Sequence, residues 1–98
     1  MSKPAYVVVR VVVKDPAAYE AYKAAAQESI AAAGGRYLVR GGETSLLEGD
    51  AKDPRRLVVL EFPDRATAEA WYHGDAYRHA RSLREGIAEM QAELVEGA

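Results

Sequence analysis

AYVVVRVVV, the stretch from Ala5 to Val13, decides the fold. Valine occupies both alternating positions, which is typical of a strand covered on two faces, whereas a half-solvated strand alternates with polar residues. Arg10 interrupts the apolar run, which is also far shorter than the roughly 20 residues that span a membrane. The stretch therefore predicts a central, buried β-strand.

The residues that follow predict a long helix. Asp15 can cap its free amides, and the fixed φ of Pro16 suits the first turn. The segment from Ala17 to Ala33 is rich in alanine, the best helix former, and its larger apolar side chains recur at steps of three and four. Gly34-Gly35 ends the helix, because glycine readily adopts the left-handed conformation at a helix C-terminus.

Two further strands are predicted in the middle of the chain. The residues from Arg36 to Arg40 alternate, with Tyr37 and Val39 on one face and the two arginines on the other. An extended pattern resumes from Thr44 to Leu47 after a pair of glycines. A loop with turn dipeptides then returns the chain as a hairpin into a strand from Arg56 to Phe62.

The C-terminal part predicts a broken helix and a short strand. Pro63-Asp64 repeats the helix-entry chemistry, and Gly74 breaks the helix. Asp75 can cap a second helical segment that runs from Ala76 toward Met90. The apolar content of Glu93 to Glu96 is thin, which predicts only a brief edge strand.

The order is therefore strand, helix, strand, strand, broken helix and short strand. It predicts one ferredoxin-like βαββαβ domain over residues 1–98, an α+β fold whose four-stranded antiparallel sheet carries its helices on one face. The other sheet face would stay uncovered, although the strands are apolar on both sides. We expect a second copy to cover it, which gives a homodimer that pairs sheet to sheet as a dimeric α/β barrel.

Composition excludes several classes of function. With 13 basic and 15 acidic residues the formal charge is -2, so the broad positive field that non-specific nucleic-acid binding needs is missing. The absence of cysteine removes disulfides, thiolate metal sites and cysteine nucleophiles. Neither a membrane span nor a signal-peptide pattern precedes the first strand. We expect a cytoplasmic protein with neither a nucleic-acid nor a membrane partner.

Several short motifs are spaced along the chain: AYVVVR (5–10), DP (15–16) with Tyr19 and Tyr22, GGRYLVRGG (34–42), LEGD (47–50), RLVVLEFP (56–63), AWYH (70–73), Tyr77 and LR (83–84). Together these motifs resemble the domain-of-unknown-function family 1330. The resemblance covers nearly the whole chain. It implies a dimeric α/β barrel related in architecture to small monooxygenases, muconolactone isomerases and stress-responsive proteins, but it implies no reaction. Relatives usually carry a firmly apolar last strand, and the departure at residues 89–93 predicts weak docking of that strand.

Three charged residues in otherwise apolar strands form the first candidate site. Charges at such positions are costly unless they are paired and hydrogen-bonded. One interpretation is an ion pair of Arg10 or Arg40 with Glu61 that fixes the strand register. The other is that an arginine grips a substrate carboxylate while Glu61 acts as an acid or base.

Glu48, in the LEGD turn, is the second candidate. A carboxylate beside a glycine can approach a pocket mouth closely, and with Asp50 it can share a proton or a cation. The same pair is typical of turns with solvated acids.

The aromatic group at the helix break is the third candidate. Trp71 and Tyr77 can border a cavity that holds a small organic molecule, and His73 can move a proton near neutral pH. A tryptophan at this position is also typical of a core plug between helix and sheet. Arg84 adds a cation on the apolar side of the last helix, and Tyr22 is expected at the pocket rim.

Two functions stay open. The first is a cofactor-independent enzyme, similar to monooxygenases, isomerases or lactone-processing enzymes, that acts on a small anionic or aromatic molecule. Its catalytic candidates are Glu61, Glu48 and His73, and its substrate-binding candidates are Arg40, Arg84, Trp71, Tyr77, Tyr22 and Arg10. The second is a non-catalytic dimeric module for small-molecule binding or interaction. Neither requires a cofactor or a metal ion, and two histidines six residues apart on a helix disfavour a zinc site.

Overall fold

The computed structural model describes residues 3–98. One sheet contains four antiparallel strands: β1 (Ala5–Val13), β2 (Arg36–Arg40), β3 (Arg56–Phe62) and β4 (Ala88–Glu96). Their order is β2-β3-β1-β4, so the valine-rich β1 is central, as predicted. The fold is the predicted ferredoxin-like α+β arrangement.

Three helices complete the domain: α1 (Pro16–Ala32), α2 (Arg65–His73) and α3 (Asp75–Ser82). Asp15 accepts a hydrogen bond from the Ala18 amide at 3.1 Å, and Asp64 accepts one from the Thr67 amide at 2.7 Å, so both predicted helix starts are confirmed. Gly34 has a φ of +83° where α1 ends, which is the left-handed conformation expected there. Within residues 3–98, no helix combines the length and the apolar character needed to cross a bilayer.

The two faces of β1 differ in burial. Ala5, Val7, Val9 and Val11 point toward the helices and are at most 6% exposed. The opposite face, which we call the open face, is only partly covered, and Val12 on it is 43% exposed. Within one chain β1 is therefore buried on one face alone, which differs from the two-sided burial that its composition suggests.

A bulge in β2 changes which side chains share a face. Tyr37 pairs with Leu60, but Val39 rather than Leu38 pairs with Val59, so the register shifts at Leu38. The extra residue places Tyr37 and Arg40 together on the helix-covered face. The predicted simple alternation along β2 is wrong, because an unpaired residue inverts the facing of every position after it.

The C-terminus differs most from prediction. The helix expected toward Met90 ends at Ser82, and β4 extends over nine residues instead of the brief segment from Glu93. It pairs with the whole of β1, from Val13 opposite Ala88 to Ala5 opposite Glu96, so its docking is extensive rather than weak. Backbone hydrogen bonds to β1 hold a strand whose polar residues lie mainly on the open face, which explains the thin apolar signal.

Two smaller expectations also fail. Thr44–Leu47 forms no strand, and residues 41–55 connect β2 to β3 without a helix or strand. Asp75 is the first residue of α3 rather than its cap, and Gly74 occupies the cap position without a side-chain hydrogen bond.

Candidate functional site

An aromatic cavity of about 50 Å³ lies between the helices and the covered face of the sheet. Its aromatic walls come from all three helices and β2, and they are Tyr19, Tyr22, Tyr37, Trp71, Tyr72 and Tyr77. Its apolar lining includes Val7, Val9, Val58, Leu60, Met90 and Ala92 from the sheet. Three cationic side chains, Lys23, Arg40 and Arg56, also line it. The cavity is thus a small aromatic chamber with a cationic rim.

Trp71 is fixed in the wall of this cavity by contacts on several sides. Its ring centroid lies 4.2 Å from that of Tyr77 and 5.1 Å from that of Phe62. Its indole N–H donates to the Ser29 hydroxyl at 3.1 Å, and that hydroxyl donates to the Ala26 carbonyl at 2.8 Å. Trp71 therefore both fills the core and presents a rigid ring to the cavity, which unites the two interpretations of the sequence.

A pair of tyrosine hydroxyls forms the polar part of the aromatic wall. The Tyr22 and Tyr77 oxygens lie 2.7 Å apart and share a buried hydrogen bond. Burial, followed by the neighbouring Tyr77, raises the pKa of Tyr22 well above its ordinary value. Tyr22 therefore keeps its proton at neutral pH and does not act as a base, and either hydroxyl of the pair can be the donor.

Arg84 adjoins this pair without lining the cavity. Its guanidinium carbon lies 5.6 Å from the centroid of the Tyr22 ring. Burial lowers the pKa of Arg84, but the nearby Tyr77 and Tyr22 raise it, and the net shift is upward. The side chain therefore carries a positive charge beside the two hydroxyls.

The rim of the cavity is electropositive. The Arg40 guanidinium stacks on the Tyr37 ring at 4.3 Å and donates to the Gln27 side chain at 2.9 Å. Lys23 pairs with exposed Glu20 at 2.9 Å. Arg56 forms no ion pair with any residue in the described range 3–98. No aspartate, glutamate or histidine in that range lines the cavity, so the rim favours an anionic group.

The predicted substrate-binding residues divide into two groups. The structure brings together Tyr22, Arg40, Trp71 and Tyr77 as cavity-lining residues, with Arg84 next to Tyr22. Arg10 lies apart, on the open face, where its Nε is 3.8 Å from Asp53 and its Nη1 donates to the Arg55 carbonyl at 3.2 Å.

The predicted ion pair of Arg10 or Arg40 with Glu61 is wrong. Glu61 accepts instead from Arg36 Nε at 2.7 Å, because Arg36 stands directly opposite it in the β2–β3 ladder. Arg10 stands opposite Leu57, and the bulge places Arg40 on the other face of the sheet. The partner of Glu61 was hidden in the sequence because it depends on strand register.

The three predicted proton carriers lie in three separate places, and none lines the cavity. Glu61 is on the open face, and Glu48 is exposed in the loop between β2 and β3. His73 is exposed at the end of α2, where it borders a different groove with Arg65 and Glu69. Residues 3–98 contain no group of three or more His, Cys, Asp or Glu side chains placed to hold a metal ion.

Sequence reasoning missed several lining residues. They are Tyr19, Lys23, Tyr37 and Arg56, whereas Tyr72 belongs to the aromatic group predicted at the helix break. Tyr19 precedes Tyr22 by one helical turn, and that spacing was the available signal for it. Tyr37 joins the site only through the bulge, which no local pattern reveals.

The chain matches one family profile, and its fold is similar to those of several solved structures. Residues 4–98 match the sequence profile of the family described as Domain of unknown function (DUF1330). No curated protein matches the chain. The fold is similar to that of a protein of unknown function from Rhodopseudomonas palustris, with a TM-score of 0.76 and 18% identity over 100% of this chain and 85% of that one.

Two other solved structures are similar at lower scores. SnoaB, a cofactor-independent oxygenase from Streptomyces nogalater, has a TM-score of 0.65 and 16% identity, over 99% of this chain and 95% of that one. A dimeric protein of unknown function and ferredoxin-like fold from Bacteroides fragilis has a TM-score of 0.57 and 13% identity, over 95% of each chain. At these identities the likeness establishes the fold alone.

Proposed function

The chain belongs to the DUF1330 family, a domain of unknown function, and we propose that it is a homodimer that binds a small aromatic anion in the cavity between helices and sheet. The observation that carries the proposal is the combination of six aromatic lining residues with a rim of Lys23, Arg40 and Arg56. Flat apolar walls select a ring, and Arg40 and Arg56, which form no ion pair within residues 3–98, select a negative charge.

The size of the cavity limits the ligand. At about 50 Å³ it is smaller than the roughly 150 Å³ of a protein cavity that accepts benzene. A single ring therefore enters only with displacement of rim side chains, and we expect exposed Arg40 and half-buried Tyr37 to be displaced together, because they stack on each other. The proposal is accordingly limited to single-ring molecules.

A second copy covering the open face is supported by three observations. The open face carries exposed apolar side chains on three strands, with Leu38 45% and Val95 48% exposed in addition to Val12. Two charged pairs on this face, Glu61 with Arg36 and Arg10 with Asp53, would keep their partners on contact, whereas Glu93, opposite Val8, has no ion pair within residues 3–98 and would need a partner from the second copy. The similar fold from Bacteroides fragilis is described as dimeric.

Binding is tested by titrating the purified protein with benzoate and with neutral benzamide. We expect benzoate to bind at least about tenfold more tightly, because a hydrogen bond to a charged group contributes about 1.5–3 kcal/mol. Arg40→Gln should remove that preference, whereas Arg78→Gln, on the exposed side of α3, should keep it. Equal affinity for benzoate and benzamide, or no binding of either, contradicts the proposal.

Catalysis on the same molecule is the second candidate function. The observation that favours it is the uncharged Tyr22–Tyr77 pair, whose hydroxyls can donate to an oxygen that becomes negative during a reaction. SnoaB, of similar fold, is described as a cofactor-independent oxygenase. The cavity contains no carboxylate or histidine among the described residues, so this proposal assigns no proton transfer to Glu61, Glu48 or His73.

Turnover distinguishes an enzyme from a binding module. Each aromatic anion that binds is incubated with the protein in air, while oxygen consumption and product masses are followed. Protein-dependent loss of a ligand, abolished in a Tyr22→Phe/Tyr77→Phe variant, supports catalysis. Ligands that bind but remain unchanged identify a non-catalytic module.

A further inference from the structure

The hydrogen bond within the Tyr22–Tyr77 pair leaves one hydroxyl hydrogen unused. Two hydroxyl groups carry two hydrogens, and their mutual hydrogen bond at 2.7 Å uses only one. Within residues 3–98, neither hydroxyl donates to any other group. One buried O–H donor is therefore left without an acceptor in this part of the chain.

The nearest charged group adds donors but no acceptor. The Arg84 guanidinium has only N–H groups, and its Nε is fully buried without a hydrogen-bond partner among the described residues. Arg81, one turn earlier, likewise has a buried Nε without a partner there, although its Nη1 donates to the Tyr72 hydroxyl at 3.1 Å. Neither arginine lines the cavity, so the donor available to a bound molecule there is the spare tyrosine hydroxyl, and a buried donor without an acceptor is costly.

The charge of Arg84 also sets the direction of the spare hydroxyl hydrogen. A cation attracts the lone pairs of the neighbouring oxygens and repels their hydrogens. Tyr22 and Tyr77 line the cavity whereas Arg84 does not, so a hydrogen turned away from Arg84 can point into the cavity. The cavity lining in residues 3–98 includes no carboxylate or imidazole that could accept it.

We infer that the Tyr22–Tyr77 pair, with Arg84 beside it, is a subsite for a phenolate or enolate oxygen of the bound molecule. Such an oxygen accepts from the spare hydroxyl, and its negative charge is stabilised by the guanidinium. The inference rests on the proposed function, because it takes the aromatic cavity to be the binding site. It narrows the ligand class from aromatic anions in general to ring compounds with an ionisable hydroxyl.

The test uses 4-nitrophenol, whose anion is followed by its absorbance as the pH is varied with and without protein. The pKa of the bound phenol should fall by about one unit, which is a tenfold preference for the anion. The fall should disappear in Tyr22→Phe/Tyr77→Phe, a double change expected to fold because both partners of the hydrogen bond are replaced by groups of the same shape. Arg84→Gln should reduce it without removing a hydroxyl.

Matched controls and benzoate separate the outcomes. Tyr6→Phe, on the open face, and Arg78→Gln should leave the pKa of bound nitrophenol at the wild-type value, and benzoate should still bind the double variant. The inference is overturned if the pKa of nitrophenol falls as much on binding to the double variant as on binding to the wild type. It is also overturned if the double variant loses benzoate and nitrophenol binding equally. Benzoate binding without any nitrophenol binding overturns the subsite and leaves the proposed function standing, whereas failure of both ligands overturns both.

Discussion

The Trp71 indole N–H donates to the Ser29 hydroxyl at 3.1 Å and so joins α2 to α1 inside the core. Ser29 is only 5% exposed and is the buried polar residue of the core in residues 3–98. The hydrogen bond explains why a hydroxyl is tolerated there, because buried polar groups are stable only when partnered. It also fixes the ring that forms one wall of the aromatic cavity.

Ser29→Ala should therefore destabilise the protein more than the removal of a single hydroxyl group suggests. The change leaves the buried indole N–H without an acceptor, which costs about 1–3 kcal/mol. Urea unfolding followed by tryptophan fluorescence measures the loss, and Ser45→Ala, in the exposed loop, is the matched control. A Ser29→Ala variant as stable as this control would show that the hydrogen bond contributes nothing.

The buried tyrosines should make the fold sensitive to alkali. The folded pKa of Tyr22 is raised above its ordinary value of 10.0, so the stability linked to its proton is complete below about pH 10 and is lost as the pH rises further. Tyr22→Phe should weaken this alkaline loss of stability. Spectrophotometric titration checks the cause, since ionisation of all six tyrosines near their usual pKa in a folded protein would contradict it.

The Asp53 carboxylate, in the loop before β3, should make the stability of the fold depend on pH in the acid range. Hydrogen bonds from Arg55, together with the positive charges of Arg55 and Arg10, lower the pKa of Asp53 to about 2 from 3.8. The contribution of Asp53 to the stability of the fold is therefore present above about pH 4 and is lost as the pH falls toward 2. Asp53→Asn should flatten the stability profile between these values. Asp50→Asn, in the same loop, is the control, and identical acid-unfolding profiles for wild type and Asp53→Asn would refute the assignment.

A charge at the centre of the open face should separate the proposed dimer. Val8 is half-buried there, and Val8→Glu would place a second carboxylate opposite Glu93 in the contact between copies. Light scattering should give twice the mass of one chain for the wild type and for Ala24→Glu, an exposed change on α1, but a single-chain mass for Val8→Glu. A wild type that is monomeric at micromolar concentration, or a Val8→Glu variant that stays dimeric, removes the proposal.

Local signals allowed much of the fold to be predicted. The boundaries of β1, α1 and β3 follow from capping residues, a helix-ending glycine and uninterrupted β-branched runs, all of which act within a few residues of where they stand. The extent of β4 was underestimated, because the β1 backbone that holds it lies more than 70 positions away in the chain. The residues AEMQAEL (88–94) do alternate between apolar and polar, but all of them are good helix formers, which favoured the prediction of a helix toward Met90.

The sequence allowed the types of residue in the candidate site to be predicted, but not which charged residues pair with each other or which sheet face they occupy. Tyr22, Trp71 and Tyr77 were expected at a cavity because large aromatic groups with a polar atom favour such places. The pairing of Glu61 with Arg36 depends on the register of β2 against β3, and the position of Arg40 at the cavity depends on the bulge at Leu38. A one-residue insertion in a ladder is decided by tertiary packing, so periodicity alone assigned Arg40 to the wrong face.

Neighbouring residues of β1 point to opposite faces of the sheet. Val7 and Val9 line the aromatic cavity, while Val8 between them lies on the open face. A saturation-mutagenesis profile along this strand should thus alternate with a period of two. Substitutions at odd positions should affect ligand binding, and substitutions at even positions should affect contact with the second copy. Selection on either property would act on its own half of the strand.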